Sequence, residues 1–248
     1  MRRLPNSSRT AGAGPLHRPR QSALRKRPIK IVGFFAPYPI ASPAIGRQSF
    51  SDASLVFIPT TRQNLENDAM IELPLHTSAT APAASRALLD AAVQDGGAPS
   101  NLMRVLADSP ATLFGFQQLH GAFSQSSLSP LEQQVVYLAA AQANACHYCT
   151  TQQGPFDHSE AAREAGDAIV GDRPLRDPRL QALRRFAQAL TRDRGWVPEH
   201  QVGAFLEAGF ERPQILEVIC GVSLATLASY TNHLAATPVE RRFNAAVA

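Results

Sequence analysis

The chain is poor in aromatics, in cysteine and in long apolar runs, and each shortage narrows what it can be. Aromatic residues are 7% of its 248 positions, which, with abundant Ala, favours helices over an aromatic-rich β-sandwich. Three cysteines cannot build a disulfide scaffold. No uninterrupted apolar stretch of about 18 residues occurs, which argues against a membrane-spanning helix. No Gly-rich nucleotide loop and no metal, haem or flavin motif is visible, so no cofactor is expected. Strand-like alternation of apolar and polar residues is absent as well. What is present is a hydrophobic fraction of 44%, enough for a buried core.

The net charge of +4 is unevenly spread. Residues 1–69 carry eleven Lys/Arg against three Asp/Glu, a net of +8, and residues 70–248 carry a net of −4. The later part has no basic excess, so nucleic acid is not an expected partner. The early part is rich in Arg, Ser and Pro, has no acid before Asp52, and shows no helical period. Its composition predicts disorder. Arg2-Arg3 lacks the apolar run that should follow in an export signal, and the Arg-rich, acid-poor start also resembles a transit peptide. Met70 opens a stretch that reads like an ordinary N-terminus, so the expected organisation is a disordered basic extension over 1–69 and a helical domain over 70–248. The expected location is cytoplasmic, with no membrane contact.

From Met70 onward the pattern predicts an all-α domain of seven to eight helices. Ala84–Gln94 is amphipathic, with Ser85 as its cap and Gly96-Gly97 as its stop. A short helix covers Asn101–Ala107. Ser109 caps another that begins at Pro110. Ser129-Pro130-Leu131-Glu132 combines a capping Ser, Pro in the first turn and Glu at the third helical position. Further helices are expected at Ser159–Ala165, Leu180–Leu190 and Pro198–Glu207. Pro213–Ala236 is apolar on most faces, which predicts either a central helix or an oligomer contact. Trp196, Tyr230 and Cys220 read as packing residues.

The feature with chemical content is Cys146-His147-Tyr148-Cys149. At a helical start, cysteines three apart share one face and can form a reversible disulfide. A helix N-terminus lowers a thiol pKa, and the thiolate can attack a peroxide or another disulfide. Two other readings stand beside this one. The pair could be half of a zinc site, although His147 and His158 make a poor ligand set, or it could be two inert buried thiols.

The stretch LSPLEQQVVYLAAAQANACHYC resembles the alkyl hydroperoxidase D/carboxymuconolactone decarboxylase superfamily. DPRLQALRRFAQALTRDRG and the region from Val202 to Phe243 are similar too, and the ending resembles the peroxidase-related branch. The resemblance spans about Ile71 to Phe243, roughly 70% of the chain. It implies an all-helical, homo-oligomeric fold and a hydroperoxide substrate. It also implies that Cys149 attacks, Cys146 resolves, and an external dithiol or thioredoxin-like reductant restores the pair. The family carries a Glu twelve residues before the first Cys and a His four after the second. These positions are Gln134 and Gln153 here, and a Gln cannot serve as a base. Glu132 is turned roughly 200° from Gln134. His147 and His158 are the candidate substitutes, and His233 reads as a polar helix end. With no dedicated base, slow peroxide reduction that climbs between neutral pH and about pH 9 is expected. The competing functions are a non-catalytic redox-sensing module and a decarboxylase-type lyase, the latter disfavoured because such enzymes do not typically rely on a Cys pair.

Overall fold

The computed structural model describes residues 70–94, 98–152 and 154–240. The expectations for residues 1–69, for the Gly96-Gly97 stop and for Gln153 lie outside these residues. Among them there are nine α-helices and no strand. They are α1 (Ala83–Gln94), α2 (Asn101–Leu106), α3 (Pro110–Ser124), α4 (Pro130–Ala143), α5 (His147–Thr151), α6 (Glu160–Val170), α7 (Pro178–Arg192), α8 (Glu199–Glu207) and α9 (Arg212–Ala235). The all-α expectation holds, and the helix beyond the expected count is the short α5, which carries the cysteine motif.

Helix starts follow the capping residues. Ser109 Oγ accepts from Thr112 N, and Ser159 Oγ from Ala162 N. Ser129 and Glu132 form a reciprocal capping box at the head of α4. Ser85 departs from expectation. It lies inside α1, fully buried, and its Oγ donates to Ala107 O at 2.7 Å, tying α1 to the end of α2.

The central element is α4, not the last helix. Nine consecutive residues, Gln133–Ala141, are buried on it, and α6, α7 and α9 pack around it. Such all-round burial explains why α4 carries so many Ala residues, which let three neighbours approach. In α9 one face is buried, through Val218, Gly221, Leu224, Ala225, Ala228, Ser229 and Asn232. The opposite face leaves Leu216, Ile219, Tyr230 and Leu234 exposed. By length and mean hydropathy α9 could cross a bilayer, although polar residues interrupt its apolar run. Here its small-residue face packs on α3 and α4.

Two packing assignments change. Trp196 is 88% exposed and Tyr230 59%, so neither is a core residue. Cys220, half-buried on α9, packs against the core as expected. Aromatic core contacts lie elsewhere, in the stack Phe186–Phe205–Phe210, with the Arg179 guanidinium 3.6 Å over Phe210, and where Phe156 meets Phe123 and Tyr137 edge-on.

Candidate active site

The cysteine motif is placed by the way α4 ends. Asn144 closes the helix, and Ala145 adopts a left-handed backbone with φ of 57°. Ala145 N donates to Gln142 O and Cys146 N to Ala141 O, each at 2.9 Å. This is the pair of reversed bonds that ends a helix in the Schellman manner, usually with Gly at the left-handed position. The turn sends the chain directly into α5. An L-residue there is strained, so Ala145→Gly should raise the melting temperature by about 1–3 °C. Differential scanning calorimetry checks this, and a fall would mean that the turn is not strained.

Cys146 is the N-cap of α5. Its Sγ accepts from Cys149 N at 3.3 Å. Both cysteines are buried, at 1% and 2% exposure. On the far side stands α9. Asn232 Nδ2 donates to Cys149 Sγ at 3.5 Å and to Cys146 Sγ at 3.8 Å, and Ser229 Oγ lies 3.9 Å from Cys149 Sγ. From α4, the buried Tyr137 is near enough to favour the Cys149 thiolate.

These contacts separate the two thiols. The Cys149 S–H foremost, with Cys149 N, Ser229 and Asn232, together lower the Cys146 thiol from 9.0 to about 7, against the opposing effect of burial. Cys149 is driven the other way, by the same shared bond, by burial and by repulsion from the Cys146 charge. Burial, with the neighbouring Cys149, pushes the Tyr137 hydroxyl well up, so Tyr137 is a protonated donor at neutral pH.

Tyr148, between the cysteines, anchors the motif rather than reacting. Its hydroxyl accepts from Leu102 N at 3.0 Å and donates to Glu240 Oε1 at 2.7 Å. Glu240 also accepts from Asn101 N at 2.8 Å and from the Gln152 side chain. The carboxylate thus fastens α5 to the head of α2.

The other candidates among the described residues have hydrogen bonds or surroundings of their own. Gln134 is 1% exposed, and its Oε1 accepts from Phe156 N at 3.0 Å. Gly154, with φ of 76°, lies so close that a Cβ there would stand 2.7 Å from the Gln134 amide. The structure therefore uses Gln134 to hold the loop after α5. Glu132 serves the capping box and pairs with Arg179 at 3.0 Å. His147 is exposed, its Nε2 lying 3.4 Å from Thr151 Oγ1, and His158 and His233 are exposed too. Among the described residues no carboxylate or imidazole is hydrogen-bonded to either sulfur. Asn232, Ser229 and Tyr137 are the site residues that sequence reasoning missed. The available signal was the pair Ser229/Asn232, one turn apart on the face that carries Gly221, Ala225 and Ala228.

No family model matches the sequence, and no curated protein matches it. Solved structures do match. An alkylhydroperoxidase AhpD core, an uncharacterized peroxidase-related protein from Ralstonia eutropha JMP134, is 21% identical, with a TM-score of 0.58 covering 68% of this chain and 92% of that one. An uncharacterized peroxidase-related protein from Silicibacter sp. TM1040 is 19% identical, with a TM-score of 0.58 over 71% and 93%. A variant of the debrominase Bmp8 in complex with 2,3,4-tribromopyrrole is 12% identical, with a TM-score of 0.59 over 73% and 98%. The fold is that of the alkylhydroperoxidase D core, as the sequence resemblance implies.

Proposed function

We propose that this chain is a thiol-dependent oxidoreductase that reduces hydroperoxides through Cys146 and Cys149. The observation that carries the reading is Cys146 at the N-cap of α5, with Cys149 N 3.3 Å from its sulfur. A thiolate there is stabilised by the amide and by the helix terminus, although a helix of five residues contributes only a small dipole. The division of roles suggested by the family resemblance is reversed in this proposal: Cys146 attacks and Cys149 resolves.

The chemistry balances without a further base. The Cys146 thiolate attacks the terminal oxygen of ROOH, an S–O bond forms and the O–O bond breaks. The departing alkoxide takes the Cys149 proton and leaves as ROH. Tyr137 and Asn232 hold the new Cys149 thiolate, which attacks the sulfenic sulfur. The S–S bond forms as hydroxide leaves, and hydroxide is neutralised by the proton Cys146 released on ionising. An external dithiol, thioredoxin-like in kind, then reduces the disulfide.

Single-turnover oxidation and steady-state turnover with a dithiol test this reading. The rate should rise with pH through a midpoint near 7, following the Cys146 thiolate. That replaces the climb toward pH 9 expected when the two Gln positions alone are considered. Stoichiometric oxidation without turnover would favour the redox-sensing reading, which the engagement of Gln134 with Phe156 supports.

Homo-oligomerisation belongs to the same proposal. Leu216, Ile219, Tyr230 and Leu234 fall within about 60° of one another around α9, and all are exposed. This stripe suits a second copy of the domain. Light scattering at micromolar concentration should give a mass above that of one chain, and a monomer would count against it. A cytoplasmic location remains the proposed setting.

A further inference from the structure

Asn232 is 5% exposed and sits where α9 passes the two cysteines. One amide nitrogen serves both sulfurs, at 3.5 and 3.8 Å. The other end of the amide is unmatched, because no donor reaches the buried Oδ1 among the described residues. A buried carbonyl oxygen is ordinarily paired, and an unpaired one invites a reason. Ser229, one turn earlier, offers no equivalent, since its Oγ donates to Ala225 O at 2.7 Å. Asn232 therefore brings a committed donor and an uncommitted acceptor to the same pair of sulfurs. A hydroperoxide carries a single O–H, on the oxygen that a thiolate attacks. An acceptor beside the thiolate could take that hydrogen and fix the attacked oxygen in place.

We propose that Asn232 orients the substrate: its Nδ2 holds negative charge on whichever sulfur bears it, and its Oδ1 accepts the O–H of the incoming hydroperoxide. The amide gains and loses no proton in the step. Its nitrogen follows the charge from Cys146 to Cys149 as the alkoxide takes the Cys149 proton. The substrate half of this inference rests on the peroxidase reading; the half that concerns the sulfurs does not. Among the described residues, the titratable groups bearing on the two thiols are each other and Tyr137.

The test compares wild type with Asn232→Leu and Asn232→Asp, with helix content checked by circular dichroism. Thiolate absorbance against pH reads the donor. The midpoint near 7 should rise by about one pH unit in the Leu variant, as loss of a hydrogen bond to a charged group implies. It should rise further in the Asp variant, where a like charge is added. Should the Asp variant not fold, the Leu variant carries the test alone. An unchanged midpoint in the Leu variant overturns the donor role.

The acceptor is read at about pH 9.5, where the attacking thiol of the Leu variant is also ionised. The reduced proteins are reacted with iodoacetamide and with tert-butyl hydroperoxide in single turnover. The Leu variant should alkylate within about twofold of wild type yet oxidise at least about tenfold more slowly, since positioned groups act on the reaction they position. Equal slowing of both reactions would mean a packing role only and would overturn the substrate half. A wild type no faster with the hydroperoxide than free cysteine would sink the peroxidase reading and the substrate half together, leaving the absorbance midpoint to decide the donor role by itself.

Discussion

Replacing Cys146 with Ser should lower the alkylation rate of the reduced protein at pH 7 by about 100-fold, whereas Cys149→Ser should leave it within a few-fold. The reason is the unequal sharing of one proton. Cys146 titrates near 7, so about half of it is thiolate at neutral pH. Cys149 is pushed up by its bond to Cys146 and by burial; burial still acts on it in the Cys146→Ser variant, and a thiol held above 9 is ionised less than about one part in a hundred at pH 7. The Cys149 variant keeps the backbone N–H that caps Cys146, and its Ser hydroxyl takes the place of the S–H as the side-chain donor. Its hydroperoxide reaction should stop at the sulfenic acid, which dimedone traps. Cys220 is half-buried and its thiol is raised by burial, and a Cys220→Ser background removes its slow contribution. Iodoacetamide kinetics with peptide mapping check the result. If Cys149→Ser causes the large loss instead, the family's order of roles applies and the reversal is wrong.

Gly221→Ala should destabilise the domain by about 2 kcal/mol, seen as a fall in melting temperature of about 4–8 °C. On an exposed helix the same change would stabilise by up to about 1 kcal/mol, because Gly is a poor helix former. Here a Cβ would stand 2.4 Å from Phe123 Cζ and 2.7 Å from Val136 Cγ1. Phe123 and Val136 are themselves buried, at 1% and 0% exposure, and have little room to yield. The clash therefore outweighs the propensity gain. It also tilts α9 away from α4, so Asn232 and Ser229 retreat from the cysteines and the Cys146 titration should move up with the loss of stability. Thermal melts and thiolate absorbance together test the point. A melting temperature equal to or above that of wild type would show that α9 does not pass this close.

Helix positions were readable because their signals are local. Ser109-Pro110 and Ser129-Pro130-x-Glu132 mark two starts, and both caps are formed. The start of α5 at Cys146 follows from the same logic. The site was only half readable. The cysteines announce themselves by spacing, but the groups that tune them come from α4 and α9, and they meet only when those helices pack. Asn232 lies 86 residues from Cys146, inside an apolar run that draws the eye to His233. Gln134 illustrates the reverse. Its position matches a relay residue, yet tertiary packing turns its amide to Phe156 N. Ser85 and Trp196 show the limit of propensity. One looked like a cap and is a buried tie between helices; the other looked like core and stands in solvent.

The central claim is that Cys146 and Cys149 form one redox couple driven by hydroperoxide. The most direct measurement is mass mapping of the reduced protein after one equivalent of tert-butyl hydroperoxide, without reductant. The account predicts loss of the mass of two hydrogen atoms from the one peptide that carries both Cys146 and Cys149, complete at one equivalent and reversed by a dithiol. Oxidation that leaves both cysteines as free thiols, or that spreads to sulfinic acid without an intramolecular disulfide, would contradict it.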